Sequence, residues 1–122
     1  MIHEINCKRI YVAPGANDGL RVLVERLWPR GIRKVDGAID LWLKDVAPSS
    51  ALRQWFGHDP VRWDEFQARY REELAANRGP VEELLRLASG NDLTLVHAAR
   101  DEPGNSAQVL RDYLRQRKMS AQ

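Results

Sequence analysis

The sequence has little of several features, and each scarcity narrows the kinds of protein it can encode. It holds one cysteine in 122 residues, Cys7, so neither an internal disulfide nor a cysteine-based zinc cluster is expected. It has no apolar run of about 18 residues, the length that a membrane-spanning helix needs. Its first residues lack the basic-then-apolar pattern of a secretory signal. These absences predict a cytoplasmic protein with no membrane partner.

Net charge is nearly absent as well. The 19 basic and 17 acidic residues leave a formal charge of +2, which excludes a strongly basic nucleic-acid coat. Fifteen of the basic residues are nevertheless arginine, whose planar guanidinium group suits carboxylates and phosphates. A GC-rich genome would give the same bias, so the position of each arginine has to decide its meaning.

The short motifs that identify a metal or cofactor are missing. The three histidines stand apart, without H-E-x-x-H or H-x-H spacing. Neither the G-x-x-x-x-G-K-[ST] phosphate loop nor the dinucleotide pattern G-x-G-x-x-G occurs. We therefore expect no metal and no cofactor.

The hydrophobic pattern predicts strands that alternate with helices. A short segment of mixed polarity predicts a strand at residues 4–11, and apolar, partly β-branched runs predict strands at 20–28 and 93–99. Alternation at 37–47 favours another strand. Capping residues and periodicity of three and four predict helices at residues 51–56, 60–77, 80–90 and 105–118. This order predicts one three-layer α/β domain over residues 1–122, with a small, partly parallel sheet flanked by helices.

Charged residues follow one of the buried strands directly. Glu25 and Arg26 come immediately after the apolar run at residues 22–24, where an unpaired charge would be costly to bury. Ligands of open α/β sheets bind beyond the carboxyl ends of parallel strands. Arg26 and Arg30 are predicted to lie at that end of their strand.

The strand at residues 93–99 ends in the same way, at Arg100 and Asp101. A glycine-containing loop and the start of a helix near Asn105 follow, and helix N-termini attract anions. If the two strands are parallel, these residues meet Arg26 and Arg30 and form an anion pocket that contains a carboxylate. The alternative is structural: ion pairs that tie the strand ends together, Arg26 with Asp101 or Glu25 with Arg100.

Other candidates accompany this pocket. Trp28 and Trp42 stand among charged residues and would wall a polar cleft, whereas core packing is their alternative role. Lys44, Asp45 and Asp101 are candidates for acid–base chemistry, although such residues more often form a solvated edge. His58 and Asp59 are adjacent and could form a catalytic pair, but the role of Asp59 as a helix cap before Pro60 is sufficient to explain that residue. His58 stays a candidate cleft residue.

Four stretches of the chain together resemble the YeaO-like family, catalogued as domain of unknown function family 488. The stretches are Arg21–Gly31 (RVLVERLWPRG), Asp40–Ser49 (DLWLKDVAPS), Leu52–Pro60 (LRQWFGHDP) and Thr94–Asp101 (TLVHAARD), followed by Asn105. The resemblance covers nearly the whole chain and implies a small bacterial α/β domain. It implies no established activity.

The residues therefore carry the functional expectation. We expect an anionic small molecule, phosphorylated or carboxylated, to be bound or acted on at an arginine-rich cleft beyond the strand ends, held by Arg26, Arg30 and Arg100. One alternative is a nucleic-acid-binding or regulatory module that uses the basic stretch at residues 26–34. Another is an interaction domain without chemistry. The sequence leaves the oligomeric state open.

Overall fold

The computed structural model describes residues 3–99 and 105–120, and a parallel sheet lies at the centre of that part of the chain. The strands are β1 (Ile5–Arg9), β2 (Leu20–Leu23), β3 (Leu41–Trp42) and β4 (Leu93–His97). Their order across the sheet is β1-β4-β2-β3. All three strand pairings within the described residues are parallel. The α/β class is confirmed, and the described sheet is more fully parallel than the partly parallel sheet expected from the sequence.

Helices fill most of the rest of the described chain. They are α1 (Lys34–Gly37), α2 (Ser50–Phe56), α3 (Trp63–Ala76), α4 (Arg78–Gly90) and α5 (Ser106–Ser120), with 3₁₀ turns at Lys44–Val46 and Pro60–Arg62. Asp59 caps the second turn, because its carboxylate accepts a hydrogen bond from the N–H of Val61 at 3.0 Å. None of the described helices has the length and apolarity needed to cross a membrane.

The strand register divides the apolar residues between the two faces of the sheet. Val22 pairs with both Leu41 and Leu95, so these three residues share one face. That face packs against α2 to α5 in one core, to which the helices contribute Leu52, Phe66, Tyr70, Leu74, Val81, Leu84, Ala88, Ala107, Val109, Leu110 and Leu114. The predicted apolar stripe of α3 is thereby confirmed.

A short segment rather than a long helix covers the opposite face. Leu23 and Val96 form a second cluster there with Ile10. Four partly buried side chains from the region between β2 and the end of β3 pack onto that cluster, namely Trp28, Ile32, Ile39 and Trp42. The two tryptophans thus form part of the hydrophobic cover of the sheet.

A buried ionic group secures the same face. The carboxylate of Asp18 accepts hydrogen bonds from Lys8 Nζ at 2.7 Å, from Arg21 Nη1 at 2.6 Å and from the N–H of Gly15 at 3.0 Å. Burial alone would raise the pKa of Asp18, but these hydrogen bonds outweigh it and lower the pKa to about 2. Arg21 also donates from Nη2 to the Gly37 carbonyl at 2.9 Å, so it ties α1 to the sheet.

Two predicted strands are much shorter than expected. The run at 20–28 ends as a strand at Leu23, and the run at 37–47 forms a strand only at Leu41–Trp42. Beyond Trp42 the chain turns away to bury Val46, whose carbonyl accepts a hydrogen bond from the hydroxyl of Tyr70 at 2.5 Å. Burial raises the pKa of that hydroxyl. The turn toward the core replaces further pairing, so period-2 alternation was misleading here.

Candidate functional site

A cleft of about 720 Å³ opens at the carboxyl edge of the sheet, beyond β2 and β4. We call it the larger cleft. It lies where the topology of a parallel sheet places ligand sites. Its lining residues are Glu25, Ala47, Pro48, Ser50, Arg53, Gln54, Phe56, His58, Trp63, Phe66, Ala98, Ala99, Asn105 and Ser106.

Glu25 links the two strands at the edge of the larger cleft. Its carboxylate accepts a hydrogen bond from the backbone N–H of Ala98 at 3.0 Å. Its own carbonyl accepts a hydrogen bond from Trp42 Nε1 at 2.7 Å. The charge that stands directly after β2 therefore has a backbone partner, and the carboxylate still borders the cleft.

Arg26 points to a different place. Its Nη2 donates to the carbonyls of Ala47 and Pro48, both at 3.2 Å, and its Nε is buried without a partner among the described residues. The side chain lines a smaller cleft of about 300 Å³, together with Asp45 and Glu73. Because Ala47 and Pro48 also line the larger cleft, Arg26 acts on that cleft by holding its wall.

The remaining residues of the expected anion pocket are dispersed or undescribed. Arg30 is exposed and does not line the larger cleft, and its carbonyl accepts a hydrogen bond from the Tyr11 hydroxyl at 3.1 Å. Arg100 and Asp101 lie outside the described residues. Asn105 does line the larger cleft, and its Oδ1 caps α5 by accepting from the N–H of Gln108 at 3.0 Å.

Trp28 and Trp42 are packed together away from the larger cleft. Their rings meet edge to face, with centroids 5.5 Å apart and planes at 70°. The indole N–H of Trp28 donates to the carbonyl of Ile32 at 2.6 Å. Both polar atoms thus serve backbone carbonyls, as is usual for a partly buried tryptophan.

Lys44 and Asp45 also lie outside the lining of the larger cleft. The Lys44 ammonium stands over the Trp42 ring, 4.2 Å from its centroid. Asp45 is exposed in the neighbouring turn and borders the smaller cleft. Its carbonyl accepts a hydrogen bond from Asn77 Nδ2 at 2.5 Å. Lys44 begins a 3₁₀ turn after β3 rather than lying within the strand that was predicted at residues 37–47.

His58 is a sequence candidate that does line the larger cleft. Its φ of 59° is left-handed, directly after Gly57 with φ 56°. A non-glycine residue in this region is uncommon and is held there only by its surroundings. The imidazole centroid lies 6.0 Å from that of Phe56, so the turn keeps the imidazole beside an aromatic ring.

Sequence reasoning missed the polar face of α2. Ser50, Arg53 and Gln54 line the larger cleft at helical spacings of three and four, while Leu52 points into the core. The side chain of Arg53 makes no hydrogen bond or ion pair with any residue that the structure describes. The polar stripe is visible in the sequence, but it looks the same as the solvent face of any amphipathic helix.

Sequence reasoning also missed the aromatic wall of the larger cleft, because aromatic residues at helical spacing, such as Trp63, predict core packing equally well. Trp63 and Phe56 are only partly buried and line the larger cleft beside the buried ring of Phe66. Within the described residues, no group of three or more histidine, cysteine, aspartate or glutamate side chains is placed to hold a metal ion. The larger cleft thus offers one guanidinium, one carboxylate, an imidazole and aromatic rings.

Comparison with known proteins places the chain among uncharacterised relatives. Residues 4–122 match the model of a family described as the inactive DUF488-N3 subclade. The uncharacterized protein YeaO of Escherichia coli K12 is 42% identical over 112 residues, which cover 92% of this chain and 97% of that protein. The uncharacterized protein Rv3073c of Mycobacterium tuberculosis H37Rv is 43% identical over 116 residues, covering 93% and 98% respectively. No solved structure matches the chain significantly.

Proposed function

The chain belongs to the family described as the inactive DUF488-N3 subclade, and from that starting point we propose that it binds an anionic small molecule in the larger cleft without converting it. The ligand is a phosphorylated or carboxylated compound. The anion-binding role is retained from the sequence, but the residue that contacts the anion is Arg53 rather than Arg26 or Arg30.

The observation that carries the proposal is the position of Arg53. Arg53 is an exposed residue that lines a cleft at the carboxyl edge of a parallel sheet, and its guanidinium group is not used by any described residue. A guanidinium group binds carboxylate and phosphate through two parallel hydrogen bonds. Helix α5 begins at Ser106 in the same cleft, and the positive end of its dipole favours a negative charge.

Two observations favour binding over catalysis. The family description names an inactive subclade. In addition, the carboxylate that borders the larger cleft, Glu25, is already engaged by the N–H of Ala98. Lys44 and Asp45, the acid–base candidates that the structure describes, lie elsewhere.

A thermal-shift panel tests the proposal. The wild-type protein is heated with inorganic phosphate, sugar phosphates, nucleotides, dicarboxylates and a short single-stranded oligonucleotide. At least one small anion is expected to raise the Tm, and Arg53→Ala is expected to abolish the increase. Arg30→Ala is the matched control, since it removes an exposed guanidinium outside the larger cleft, and it should retain the increase.

Two results would overturn this assignment. One is the absence of stabilisation by any small anion. The other is loss of the effect in Arg30→Ala with retention in Arg53→Ala, which would move the site to the basic stretch at residues 26–34. Stabilisation by the oligonucleotide alone, weakening steeply with salt, would indicate a nucleic-acid-binding protein instead.

A further inference from the structure

We infer that the ligand of the larger cleft carries a planar ring beside its anionic group, as a nucleoside monophosphate does. This inference rests on the proposed function and specifies its ligand class. Three features of the cleft support it: its size, its aromatic wall and the kind of polar group that it presents.

The size of the larger cleft argues for a ligand much bigger than a single anionic group. Its volume is about 720 Å³, within the range of roughly 300–1,000 Å³ that is usual for the binding sites of small molecules and cofactors. A bare phosphate or a short dicarboxylate would leave most of the aromatic lining exposed to water. We therefore expect the ligand to have an additional part that packs against the apolar and aromatic walls.

The aromatic wall, formed by Phe56 and Trp63, packs against a buried ring. The buried ring of Phe66 lies 4.6 Å from the Phe56 ring and 5.5 Å from the Trp63 ring, with only 16° between the Phe66 and Trp63 planes. Such contacts fix the two partly exposed rings before any ligand arrives. A rigid aromatic surface binds a planar ring by stacking, and it does so for any base.

His58 extends this wall on the side of α2. The imidazole lies beside Phe56 because Gly57 and His58 both adopt left-handed backbone conformations. These two conformations set the direction of the chain after α2 and therefore the position of the imidazole. Strain of this kind is found where a side chain has to be held in place for binding. His58 is therefore a ring-contacting residue in this account.

The polar groups of the larger cleft are mixed in sign, which suits a ligand with hydrogen-bond donors as well as an anion. Glu25 presents a carboxylate, which accepts hydrogen bonds from hydroxyl or amino groups and repels phosphate. Arg53 and the start of α5 favour the anionic end. A nucleoside monophosphate supplies both, with ribose hydroxyls or ring N–H groups for Glu25 and a phosphate for Arg53.

Isothermal titration calorimetry with four probes tests the inference. The probes are adenosine monophosphate, uridine monophosphate, ribose 5-phosphate and inorganic phosphate, each titrated into the full chain. Stacking of the ring should give at least one nucleotide a Kd at least tenfold lower than that of ribose 5-phosphate. Equal affinities for the nucleotides and ribose 5-phosphate would overturn the ring inference while leaving the proposed anion site in place.

Two substitutions locate the ring contact. His58→Asn removes the imidazole but keeps a residue type that tolerates the left-handed backbone, and Phe56→Leu removes one aromatic face. Each substitution should reduce the ratio of the ribose 5-phosphate Kd to the nucleotide Kd at least threefold. Each should leave the affinity for ribose 5-phosphate unchanged. Tyr11→Leu removes a half-exposed ring outside the larger cleft. This control should leave the ratio of the two Kd values unchanged.

The outcomes separate the two proposals. His58→Asn is designed to fold normally. If this variant leaves the ratio of the ribose 5-phosphate Kd to the nucleotide Kd unchanged, the proposed contact between His58 and the ligand ring is overturned, even if Phe56→Leu fails to fold. Absence of heat and of thermal stabilisation with all four probes and with dicarboxylates would overturn both the ring inference and the proposed function. Nucleotide binding that survives Arg53→Ala would overturn the anion site alone.

Discussion

The carboxylate of Glu25 accepts a hydrogen bond from the backbone N–H of Ala98 at 3.0 Å, and this contact joins the ends of β2 and β4. Glu25 and Ala98 both line the larger cleft. One charged side chain thus fixes the spacing of the two central strands where the site opens. The same carboxylate also contributes a negative group to the cleft.

Substitution of Glu25 is expected to separate its structural role from its role in the cleft. Glu25→Gln keeps an oxygen that can accept from Ala98, whereas Glu25→Ala leaves the Ala98 N–H without that acceptor. The alanine variant should lose about 1–3 kcal/mol of unfolding free energy, and the glutamine variant clearly less. Urea unfolding measures both. Equal losses would show that the hydrogen bond contributes little.

Arg26 is expected to behave as a structural residue. Arg26→Ala removes the donor to the carbonyls of Ala47 and Pro48, so the unfolding free energy should fall by about 1–3 kcal/mol. Any loss of ligand affinity should follow from the loosened wall. The contrary result, unchanged unfolding with complete loss of anion binding, would restore Arg26 as a ligand-contacting residue.

The ionic group at Asp18 predicts a defined pH dependence of stability. The pKa of Asp18 is about 2 in the folded chain against an ordinary value of 3.8, so its contribution is complete above about pH 4 and is lost as the pH falls toward 2. Asp18→Asn leaves the positive charges of Lys8 and Arg21 without their carboxylate and should cost about 3 kcal/mol at pH 7.

Urea titrations of wild type and Asp18→Asn at several pH values between 7 and 2 measure this effect. The difference in unfolding free energy between the two proteins should shrink as the pH falls below 4. Asp36→Asn is a suitable control because its partner Arg33 is exposed and the pair lies on the surface. A difference that stays constant down to pH 2 would contradict the lowered pKa.

Gly19 is expected to be intolerant of any side chain. Its φ is 64°, and a Cβ there would lie 2.2 Å from the backbone oxygen of Asp92. Gly19→Ala should therefore cost about 2 kcal/mol or more. Gly79→Ala is the matched control in α4, where a Cβ meets nothing within 4 Å, and it should be neutral or stabilising. Thermal unfolding of both variants gives the comparison.

The fold followed from the sequence wherever apolar periodicity was strong. The run at residues 93–99 and the stripe from Phe66 to Leu74 gave the buried strand and the core-facing helix. The run at 37–47 did not form the strand that its alternation predicts. Burial of Val46 in the core is a tertiary effect that local alternation cannot show. The same limit holds for β2, where the chain leaves the sheet after Leu23.

The sequence predicted where the candidate site lies but not which residues line it. Charges after β2 indicated the carboxyl edge of the sheet, and the larger cleft is there. The partners of Glu25 and Arg26 are backbone groups more than 20 residues away in the sequence, which no sequence pattern reveals. Arg53 escaped notice because a polar helix face predicts solvent exposure equally well.

The central claim is that an anionic ligand binds beside Arg53 in the larger cleft, and amide chemical shifts in the ¹⁵N-labelled full chain measure where the ligand binds. During a titration with adenosine monophosphate, the account predicts that the amides of Arg53, Ala98, Ala99 and Ser106 shift together and saturate with one Kd. Arg53→Ala should abolish these shifts at the same concentrations, and Arg30→Ala should not. Shifts confined to residues 30–34, or none up to millimolar nucleotide or phosphate, would contradict it.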